Sequence, residues 1–518
     1  MAEMQSGATI VIGGGHNGLV SAAYLAKAGR KVTVLEAADQ LGGATAMREF
    51  APGFKASLAH LLYLLDKDIA AELSLSSHGL SMAATGLNTV ALGEDGKHLT
   101  IGAEAVAGDG LSATDHTGYR EYRRFMSKFA GLIGWLHGQT PPRIRQERGD
   151  LVALGKLALK IRMMGRDDMR EFLRIAGINI YDILQENLEN PLLKGALSLD
   201  AVLGAHSGPR SNNTVFTALH RMSGNTDGPS GTLSLPRGGM AAVADALAAA
   251  ARQAGAEIRT GCAVEQILLD GGRVSGVRLA GGEEVAADTV LSNADPKTTI
   301  MKLLGARNVE AAFAQRIVHF RSRGNAAKLH LALDGLPEFP GLAPKQLGER
   351  LVIAPDMEYV ERAFNHSKYK KFSSHPVAEI VLPTVRDPGL APEGCHVLSA
   401  VVQYAPRELG SGWSEGKAAF METVLRTLET YAPDIRGKIV GSELLTPEDI
   451  EREYRISGGH WHHGELSLDQ FLMMRPAPKS ARYRTPVEGL YFCGAGAHPG
   501  GGVMGCAGRN AAAAVLAQ

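Results

Sequence analysis

Several residues and patterns that define protein classes are scarce or absent in this sequence. Only four cysteines occur in 518 residues, and none lies in a C-x-x-C pair or at zinc-finger spacing. Disulfide redox chemistry and a structural zinc site are therefore not indicated, and we expect no metal ion. Lysine plus arginine and aspartate plus glutamate each number 54, so the formal net charge is zero. A nucleic acid partner, which normally requires a basic surface, is not expected.

Long apolar runs are also missing. The sequence has no stretch of about eighteen uncharged apolar residues, the length that a membrane span needs, and Met1–Gly7 lacks the features of a signal peptide. We therefore expect a cytoplasmic protein. One basic amphipathic stretch, 151–178, could lie peripherally on a membrane, although a solvated face of a helical cap is the interpretation we favour. Basic residues interspersed among its apolar ones include Lys156, Lys160, Arg162, Arg166 and Arg170.

A nucleotide-binding pattern opens the chain. The apolar run 8–12 predicts a buried strand, residues 19–29 predict a helix rich in small residues, and 31–35 predict a second strand. The loop between the first strand and the helix consists of Gly13, Gly14, Gly15, His16, Asn17 and Gly18. This order of strand, glycine loop, helix and strand is typical of a βαβ dinucleotide-binding unit.

Each glycine of the fingerprint has a physical role. Gly13 permits the tight turn, Gly15 lets the backbone approach a pyrophosphate, and Gly18 lets helix and strand pack closely. The N-terminus of the helix then offers N–H groups to the phosphates. Glu36 lies eighteen residues after Gly18, where its carboxylate can accept hydrogen bonds from a ribose 2′-hydroxyl and disfavours NADP.

The segment after Glu36 favours FAD over NAD. A Gly-Gly pair shortly after the second strand is typical of flavoproteins of the glutathione-reductase-like superfamily. Such a pair lets the chain pass close to the flavin and its ribityl phosphate. The predicted cofactor-binding residues here are Ala37, Gly42, Gly43, Ala44 and Thr45.

Two later segments agree with FAD. In such flavoproteins a residue at the position of Val264 contacts the adenine, and Gly494 and Ala495 follow a C-terminal strand beside the ribityl phosphate. The N–H groups of Val503 and Met504, after Gly502, would face the flavin N1–O2 edge and stabilise negative charge there. Three distant segments are thus predicted to enclose one FAD.

A second dinucleotide fingerprint and a redox-active cysteine pair are both absent from the sequence. The reduced flavin is therefore expected to pass its electrons to a diffusible acceptor, which could be oxygen, a quinone or a loosely bound nicotinamide.

The motifs resemble those of the phytoene desaturase-like FAD oxidoreductases, the carotenoid and retinoid oxidoreductase family. The resemblance rests on the opening 13–20, on Ser-Asn-Ala-Asp-Pro at 292–296 and on the ending through 509–512, and it covers most of the chain. Within that family the sequence is most similar to the group of pyridine nucleotide-disulfide oxidoreductase domain-containing protein 2 and its bacterial relatives. The resemblance implies FAD and an apolar, isoprenoid-like or lipid-like substrate.

One segment departs from the family pattern. Where the family usually reads Gly-Gly-Asn-Ile-Phe-His-Gly, residues 458–464 read Gly-Gly-His-Trp-His-His-Gly. His463 matches the family histidine, His460 replaces an asparagine, and His462 replaces an aromatic residue. Because imidazole titrates near neutral pH, we predict that His460 and His463 handle a proton in catalysis, with lining or bracing of the pocket as the alternative.

These observations predict an α/β protein with a discontinuous, glutathione-reductase-like FAD-binding Rossmann domain. Residues 1–65, 226–319 and 476–518 would form the FAD-binding domain, whereas 66–225 and 320–475 would form a substrate domain with a mixed sheet and a helical cap.

The predicted activity is dehydrogenation, meaning desaturation, or isomerisation of the apolar substrate by hydride transfer to flavin N5. Two alternatives stay open. A flavin amine oxidase would need an aromatic cage, and the sequence contains only three tryptophans. A non-catalytic flavoprotein would act by binding a partner.

Overall fold

The computed structural model describes residues 7–142, 148–224 and 228–518. The strands in these ranges are β1 (Ala8–Ile12), β2 (Lys31–Leu35), β3 (Arg48–Ala51), β4 (Phe54–Ala56), β5 (Met82–Thr85), β6 (Thr89–Ala91), β7 (Leu99–Ile101), β8 (Val106–Ala107), β9 (Ser234–Pro236), β10 (Glu257–Arg259), β11 (Val264–Asp270), β12 (Arg273–Leu279), β13 (Glu284–Ala286), β14 (Thr289–Ser292), β15 (Ala326–Leu333), β16 (Arg350–Ile353), β17 (Val377–Val381), β18 (His396–Gln403), β19 (Ile439–Leu445) and β20 (Leu490–Phe492).

The α-helices in the same ranges are α1 (His16–Lys27), α2 (Lys67–Glu72), α3 (Ala113–His137), α4 (Arg148–Arg162), α5 (Arg166–Gly177), α6 (Ile180–Asn187), α7 (Pro191–Val202), α8 (Thr214–Met222), α9 (Ala241–Gln253), α10 (Ala311–Val318), α11 (Met357–Lys368), α12 (Trp413–Tyr431), α13 (Ile435–Lys438), α14 (Pro447–Tyr454) and α15 (Cys506–Leu516).

A five-stranded parallel sheet joins segments that are far apart in sequence. Its order is β10-β2-β1-β14-β20, so the central strand β1 pairs with β2 on one side and with β14 on the other. The side chains of β1 from Thr9 onward are buried, as both faces of a parallel sheet require. Helix α1 packs against α9 and α15. Gly508 permits this contact, because a Cβ there would lie 2.2 Å from the Asn17 carbonyl oxygen.

A second, eight-stranded sheet is mixed. Its order is β19-β15-β18-β17-β16-β6-β7-β8, with β16 and β6 parallel and the other neighbours antiparallel. Side chains alternate along β15, so Leu329 and Leu331 join an apolar cluster with α12. Lys328 and His330, on the opposite face, are buried polar residues. Helices α3, α6, α7, α8 and α11 contribute to a separate apolar cluster, which forms the cap.

The predicted fold class is confirmed: a discontinuous Rossmann sheet is combined with a mixed sheet and a helical cap. The domain boundaries stay a prediction. Within the described ranges, no helix combines the length and the apolar character that crossing a bilayer demands.

The structure differs from the expected local elements in three places. Helix α1 begins at His16 and not at residue 19, because Gly15 already takes the extended N-cap conformation. The stretch 151–178 is helical but is divided between α4 and α5, which Gly165 separates with a φ of +93°. Strands β6, β7 and β8 were not predicted, since each has only two or three residues; β6 pairs with β16, β7 with β6, and β8 with β7.

Candidate active site

The glycine loop after β1 has the close contacts that a phosphate-binding turn needs. Gly13 has a φ of +95°, and a Cβ on Gly18 would lie 2.1 Å from the Gly13 carbonyl oxygen. A Cβ on Gly15 would lie 2.8 Å from Asn293 Nδ2. Side chains are therefore excluded where backbone must approach backbone or a ligand.

The predicted ribose-binding carboxylate lies beside this loop. Glu36 Oε2 accepts a hydrogen bond from the Gly14 N–H at 2.6 Å, and Glu36 Oε1 accepts one from Ala38 N–H at 2.8 Å. The Glu36 carbonyl accepts from Cys262 N–H at 2.7 Å, which brings the start of β11, and with it Val264, to the same end of the sheet. The residue after the carboxylate, Ala37, lies within this cluster.

The second glycine segment is bound to the first. Gly42 N–H donates to the Gly14 carbonyl at 2.9 Å, and both Gly42 and Gly43 have positive φ. Thr45 Oγ1 donates to the Gly42 carbonyl at 3.0 Å, which closes this turn, and Ala44 accepts from Ala59 N–H.

The C-terminal segment is the third part of the chain that lies near the glycine loop. A Cβ on Gly494 would lie 2.4 Å from the Asn293 carbonyl oxygen, so this strand end is held against the first loop, with Ala495 next to it. Gly502 has a φ of +118°, and a Cβ there would collide with Leu64. The Met504 N–H, predicted to face the flavin, donates instead to the Gly502 carbonyl at 3.0 Å.

These segments fit a dinucleotide. Three distant parts of the chain converge on one loop, and two buried polar atoms beside it, Asn17 Nδ2 and His16 Nε2, make no hydrogen bond within the described residues. Buried polar groups normally have partners, so atoms of this kind suit a polar ligand.

A cavity lies where the predicted FAD site meets the substrate domain. It has a volume of about 920 Å³, including its opening to solvent, and His16, Ala44, Gly502 and Val503 line its FAD side. The apolar part of its wall is formed by Leu58, Leu61, Leu64, Leu203, Val401 and Leu466. Its polar part contains His60, Thr217, His220, Arg221, Glu379 and His462.

The charged groups at the cavity form a compensated network. Arg221 contacts Asp200 and Glu379, Arg350 contacts the same two carboxylates, and His60 Nε2 lies 3.0 Å from Glu379 Oε1. Burial alone would raise the pKa of Glu379, but Arg221 and Arg350 hold that pKa well below its ordinary value. Two guanidinium groups thus balance two carboxylates, so the network adds no net charge to the cavity.

Two buried bases adjoin the network. Burial, with the neighbouring Lys328, lowers the pKa of His60 to about 4. Burial also lowers the pKa of Lys328 well below its ordinary value, and its Nζ has no hydrogen-bond partner among the described residues. Both groups therefore favour their neutral forms more than exposed counterparts would.

The histidine segment, residues 458–464, lies against the cavity wall. His460 is buried with no partner at either ring nitrogen among the described residues, and burial lowers its pKa to about 4. His463 has a φ of +54° and is close enough to His16 to lower the pKa of that ring, after the larger effect of burial. Of the three histidines in the segment, His462 alone lines the cavity. The proton-handling roles of His460 and His463 stay predictions.

A buried arginine joins this segment to the C-terminal loop. The Arg475 guanidinium donates to six backbone carbonyls and contacts no carboxylate among the described residues. Burial lowers its pKa to about 9, so the group is charged at neutral pH. The accepting carbonyls belong to His462, Gly464, Glu465, Gln470, Ala495 and Ala497.

Sequence reasoning missed the charged network and Arg475. One signal was present: Glu379 lies in Val-Ala-Glu-Ile-Val, and Lys328 lies in Ala-Ala-Lys-Leu, so each is an ionisable residue inside an apolar strand. Such residues are almost never buried without a partner or a role. Arg475 has no comparable local signal, because its six acceptors are backbone atoms brought together by the fold.

Comparison with known proteins agrees with this geometry. Residues 8–359 match the family model described as FAD dependent oxidoreductase. The chain is 36% identical to pyridine nucleotide-disulfide oxidoreductase domain-containing protein 2 of Rattus norvegicus, over 97% of this chain and 92% of the relative.

More distant relatives cover nearly the whole chain as well. A limonene dehydrogenase polypeptide of Castellaniella defragrans is 26% identical over 99% of this chain and 95% of its own length. The zeta-carotene-forming phytoene desaturase of Myxococcus xanthus is 26% identical over 97% and 92%. A putrescine oxidase structure shares the fold, with a TM-score of 0.59, 16% identity and coverage of 98% and 99%. The resemblance to the phytoene desaturase-like group is confirmed.

We predict that Arg475→Lys lowers stability by about 3 kcal/mol and weakens flavin retention, because one ammonium cannot satisfy all the carbonyls that a planar guanidinium reaches. Thermal unfolding and the flavin-to-protein absorbance ratio measure both effects. Arg482→Lys, at a site where the Nε donates to the Pro141 carbonyl, serves as the comparison and should change both quantities far less. Equal behaviour of the two variants would contradict a central role for Arg475.

We also predict acid sensitivity as the pH falls from about 6.5 to about 5. Burial lowers the pKa of His60, His220 and His498 to about 4. A histidine with a lower pKa in the folded than in the unfolded protein binds protons preferentially when the protein is unfolded. The stability of the fold is therefore complete above the unfolded pKa of about 6.5 and is lost as the pH falls toward the folded pKa. Unfolding free energies measured across this window should fall with pH, and His60→Gln should flatten the slope. A pH-independent stability here would refute the neutral, buried state of these rings.

Proposed function

Since the chain belongs to the family of FAD-dependent oxidoreductases, we propose that it dehydrogenates or isomerises an apolar, isoprenoid-like or lipid-like substrate. It is an FAD-dependent enzyme, and bound FAD supplies a hydride acceptor at N5. The substrate class and the direction of the reaction are the proposal.

One observation carries the proposal: the cavity beside the FAD segments has a largely apolar wall. The leucine side chains on that wall come from the loop after β4, from the residue that follows α7 and from the loop after the histidine segment, so parts of both predicted domains line the cavity. An apolar wall excludes water from the transferred hydride and rewards an apolar substrate. Relatives named for limonene and phytoene, both isoprenoid hydrocarbons, support this substrate class.

The charged network gives the cavity its shape and contributes no unbalanced charge. Arg221 also lies over the Tyr63 ring, 4.5 Å from its centroid, so its position is fixed from two sides. A charged amine substrate would gain nothing from carboxylates that are already paired with guanidinium groups. This favours a neutral substrate over a protonated amine.

Desaturation releases one hydrogen as a hydride and another as a proton. We propose that buried imidazoles near the cavity take the proton, with His460 and His463 as the predicted carriers. His60 offers a second route, because it lines the cavity and its Nε2 is hydrogen-bonded to Glu379, which can stabilise a charged ring. Electrons would then pass from FAD to a diffusible acceptor such as oxygen, a quinone or nicotinamide.

We expect isoprenoid polyenes, retinoids or cyclic enones to bleach the flavin absorbance of the anaerobic holoenzyme, and amines to leave it unchanged. Peroxide release with an amine panel would favour the amine oxidase alternative. Reduction by neither class, together with dithionite-reduced flavin that reacts with no acceptor, would favour a partner-binding flavoprotein. His60→Gln should slow reduction by roughly a hundredfold if His60 takes the proton, and little if His460 or His463 does.

We further propose that α4 and α5 form a peripheral contact with an anionic membrane, from which an apolar substrate could enter. Leu159 on α4, Met163 in the turn after it and Leu173 on α5 are 59%, 75% and 66% exposed. The predicted basic residues of the stretch lie among them. Exposed apolar side chains with surrounding positive charge suit the surface of an anionic bilayer.

Sedimentation with vesicles containing anionic lipid tests this contact. The holoenzyme should bind these vesicles and bind neutral ones weakly, and the triple variant Leu159→Ser, Met163→Ser, Leu173→Ser should lose binding. Val440→Ser removes another residue that is 59% exposed, on β19, and should bind as the native protein does. Binding that is unchanged in the triple variant would refute a contact through these helices.

A further inference from the structure

A second cavity adjoins the charged network. It has a volume of about 740 Å³, including its opening to solvent, and residues of α3, α7, α8, β6, β7 and β16 contribute to its wall. Asp200 and Arg221 line both this cavity and the apolar one, so the two cavities lie side by side. None of the predicted FAD-binding residues is among its lining residues. The second cavity is therefore a separate place on the molecule from the proposed catalytic site.

The wall of the second cavity carries an excess of positive charge. Three arginines, Arg123, Arg221 and Arg350, line it, and Asp200 is the one carboxylate among its lining residues. The apolar cavity has the opposite balance, because Asp200 and Glu379 line it with Arg221 as the one arginine. A cleft lined mainly by one sign of charge attracts ions of the other sign. The second cavity therefore favours an anion.

Arg123, on α3, is the cation of this wall that no carboxylate balances within the described ranges. The two carboxylates of the network already neutralise Arg221 and Arg350. The Arg123 guanidinium, in contrast, donates to uncharged acceptors. One positive charge at the second cavity is therefore left without a counter-charge in this part of the chain.

The guanidinium of Arg123 also has unused donors. Its Nε donates to the Ala103 carbonyl at 3.1 Å, and one terminal nitrogen donates to the Ser230 carbonyl at 3.3 Å. The other terminal nitrogen lies 3.8 Å from Met222 Sδ, a weak acceptor. Because a guanidinium has five N–H donors, at least two of them have no acceptor among the described residues. Arg123 is half-buried and lines the cavity, so these donors are available to a ligand there.

We propose that the second cavity binds an oxyanion, either a carboxylate or a phosphate, and that Arg123 is the residue that contacts it. The planar guanidinium presents paired N–H donors that match two oxygens of such a group. Asp200 repels the ion only weakly, because Arg221 and Arg350 already neutralise it. This inference goes beyond the proposed function, since it does not depend on which substrate enters the apolar cavity.

Calorimetric titration of the holoenzyme at low salt tests the site with three probes. Inorganic phosphate and octanoate each carry an oxyanion, and 1-octanol has the chain of octanoate without the charge. The holoenzyme is used because bound FAD prevents phosphate from binding to the glycine loop. We expect at least one of the two anions to bind, with an affinity that falls as sodium chloride is added.

Variants on α3 locate the binding. Arg123→Gln should weaken anion binding by roughly tenfold or more, because charge-assisted hydrogen bonds are lost, and should leave any binding of 1-octanol unchanged. Arg120→Gln removes the same charge from an exposed position of the same helix and should change the Kd by less than about twofold. Arg123→Lys keeps the charge without the planar fork and should weaken binding by roughly threefold to tenfold. Thermal unfolding and flavin content show whether each variant folds.

The outcomes also distinguish the source of the ion. Arg123-dependent binding of phosphate indicates a phosphate ligand, and such binding of octanoate alone indicates an organic acid; either result supports the anion site. Binding of neither anion, or an equal loss in Arg123→Gln and Arg120→Gln, would overturn it. If Arg123→Gln does not fold, Arg123→Lys decides, and an unchanged affinity in that variant would refute the contact. Because no turnover is measured, failure of the proposed dehydrogenation leaves this result intact.

Discussion

The active site depends on one buried cation. Arg475 lies at the boundary between the domains and binds carbonyls from the histidine segment and from the C-terminal loop that follows β20. Because a guanidinium has five N–H donors in a rigid plane, it can fix several backbone segments at once. The position of His462 relative to Gly494 and Ala495 therefore follows from this one side chain. Arg475 thus connects the segment that carries His462, a cavity-lining residue, to the end of the C-terminal strand.

The polar groups around the cavity are buried without adding a net charge to it. The Arg221, Arg350, Asp200 and Glu379 groups neutralise one another, and the surrounding histidines favour their neutral forms because burial penalises charge. The cavity can thus contain many polar residues and still receive an apolar molecule. Selectivity then comes from the few polar atoms that have no partner within the described residues, since these are the atoms that a ligand must satisfy.

Local patterns predicted the cofactor half of the molecule well. Strand–loop–helix order, the glycine spacing and Glu36 are encoded within one short N-terminal segment, and the structure brings Gly14, Gly42 and Glu36 together as expected. The residues of the predicted substrate domain were harder to predict from the sequence. The ion pair between Arg221 and Glu379 spans 158 positions, and the short strand β6, which also pairs with β7, is hydrogen-bonded to the distant strand β16. Pairings at that separation are set by tertiary packing and leave no periodic signal in one sequence.

The sequence identified the histidine segment as part of the site but could not show the environment of its rings. A run of imidazoles next to an FAD loop suggests proton transfer, because histidine titrates near neutral pH. Burial lowers the pKa of His460 to about 4, so this ring is unprotonated at neutral pH and its role as a proton acceptor stays a prediction, whereas the bond from Trp461 fixes the tautomer of His462. An imidazole whose tautomer is fixed in this way is a hydrogen-bond donor of defined direction. A donor of defined direction in a cavity with balanced charges is the kind of group that can orient a neutral ligand.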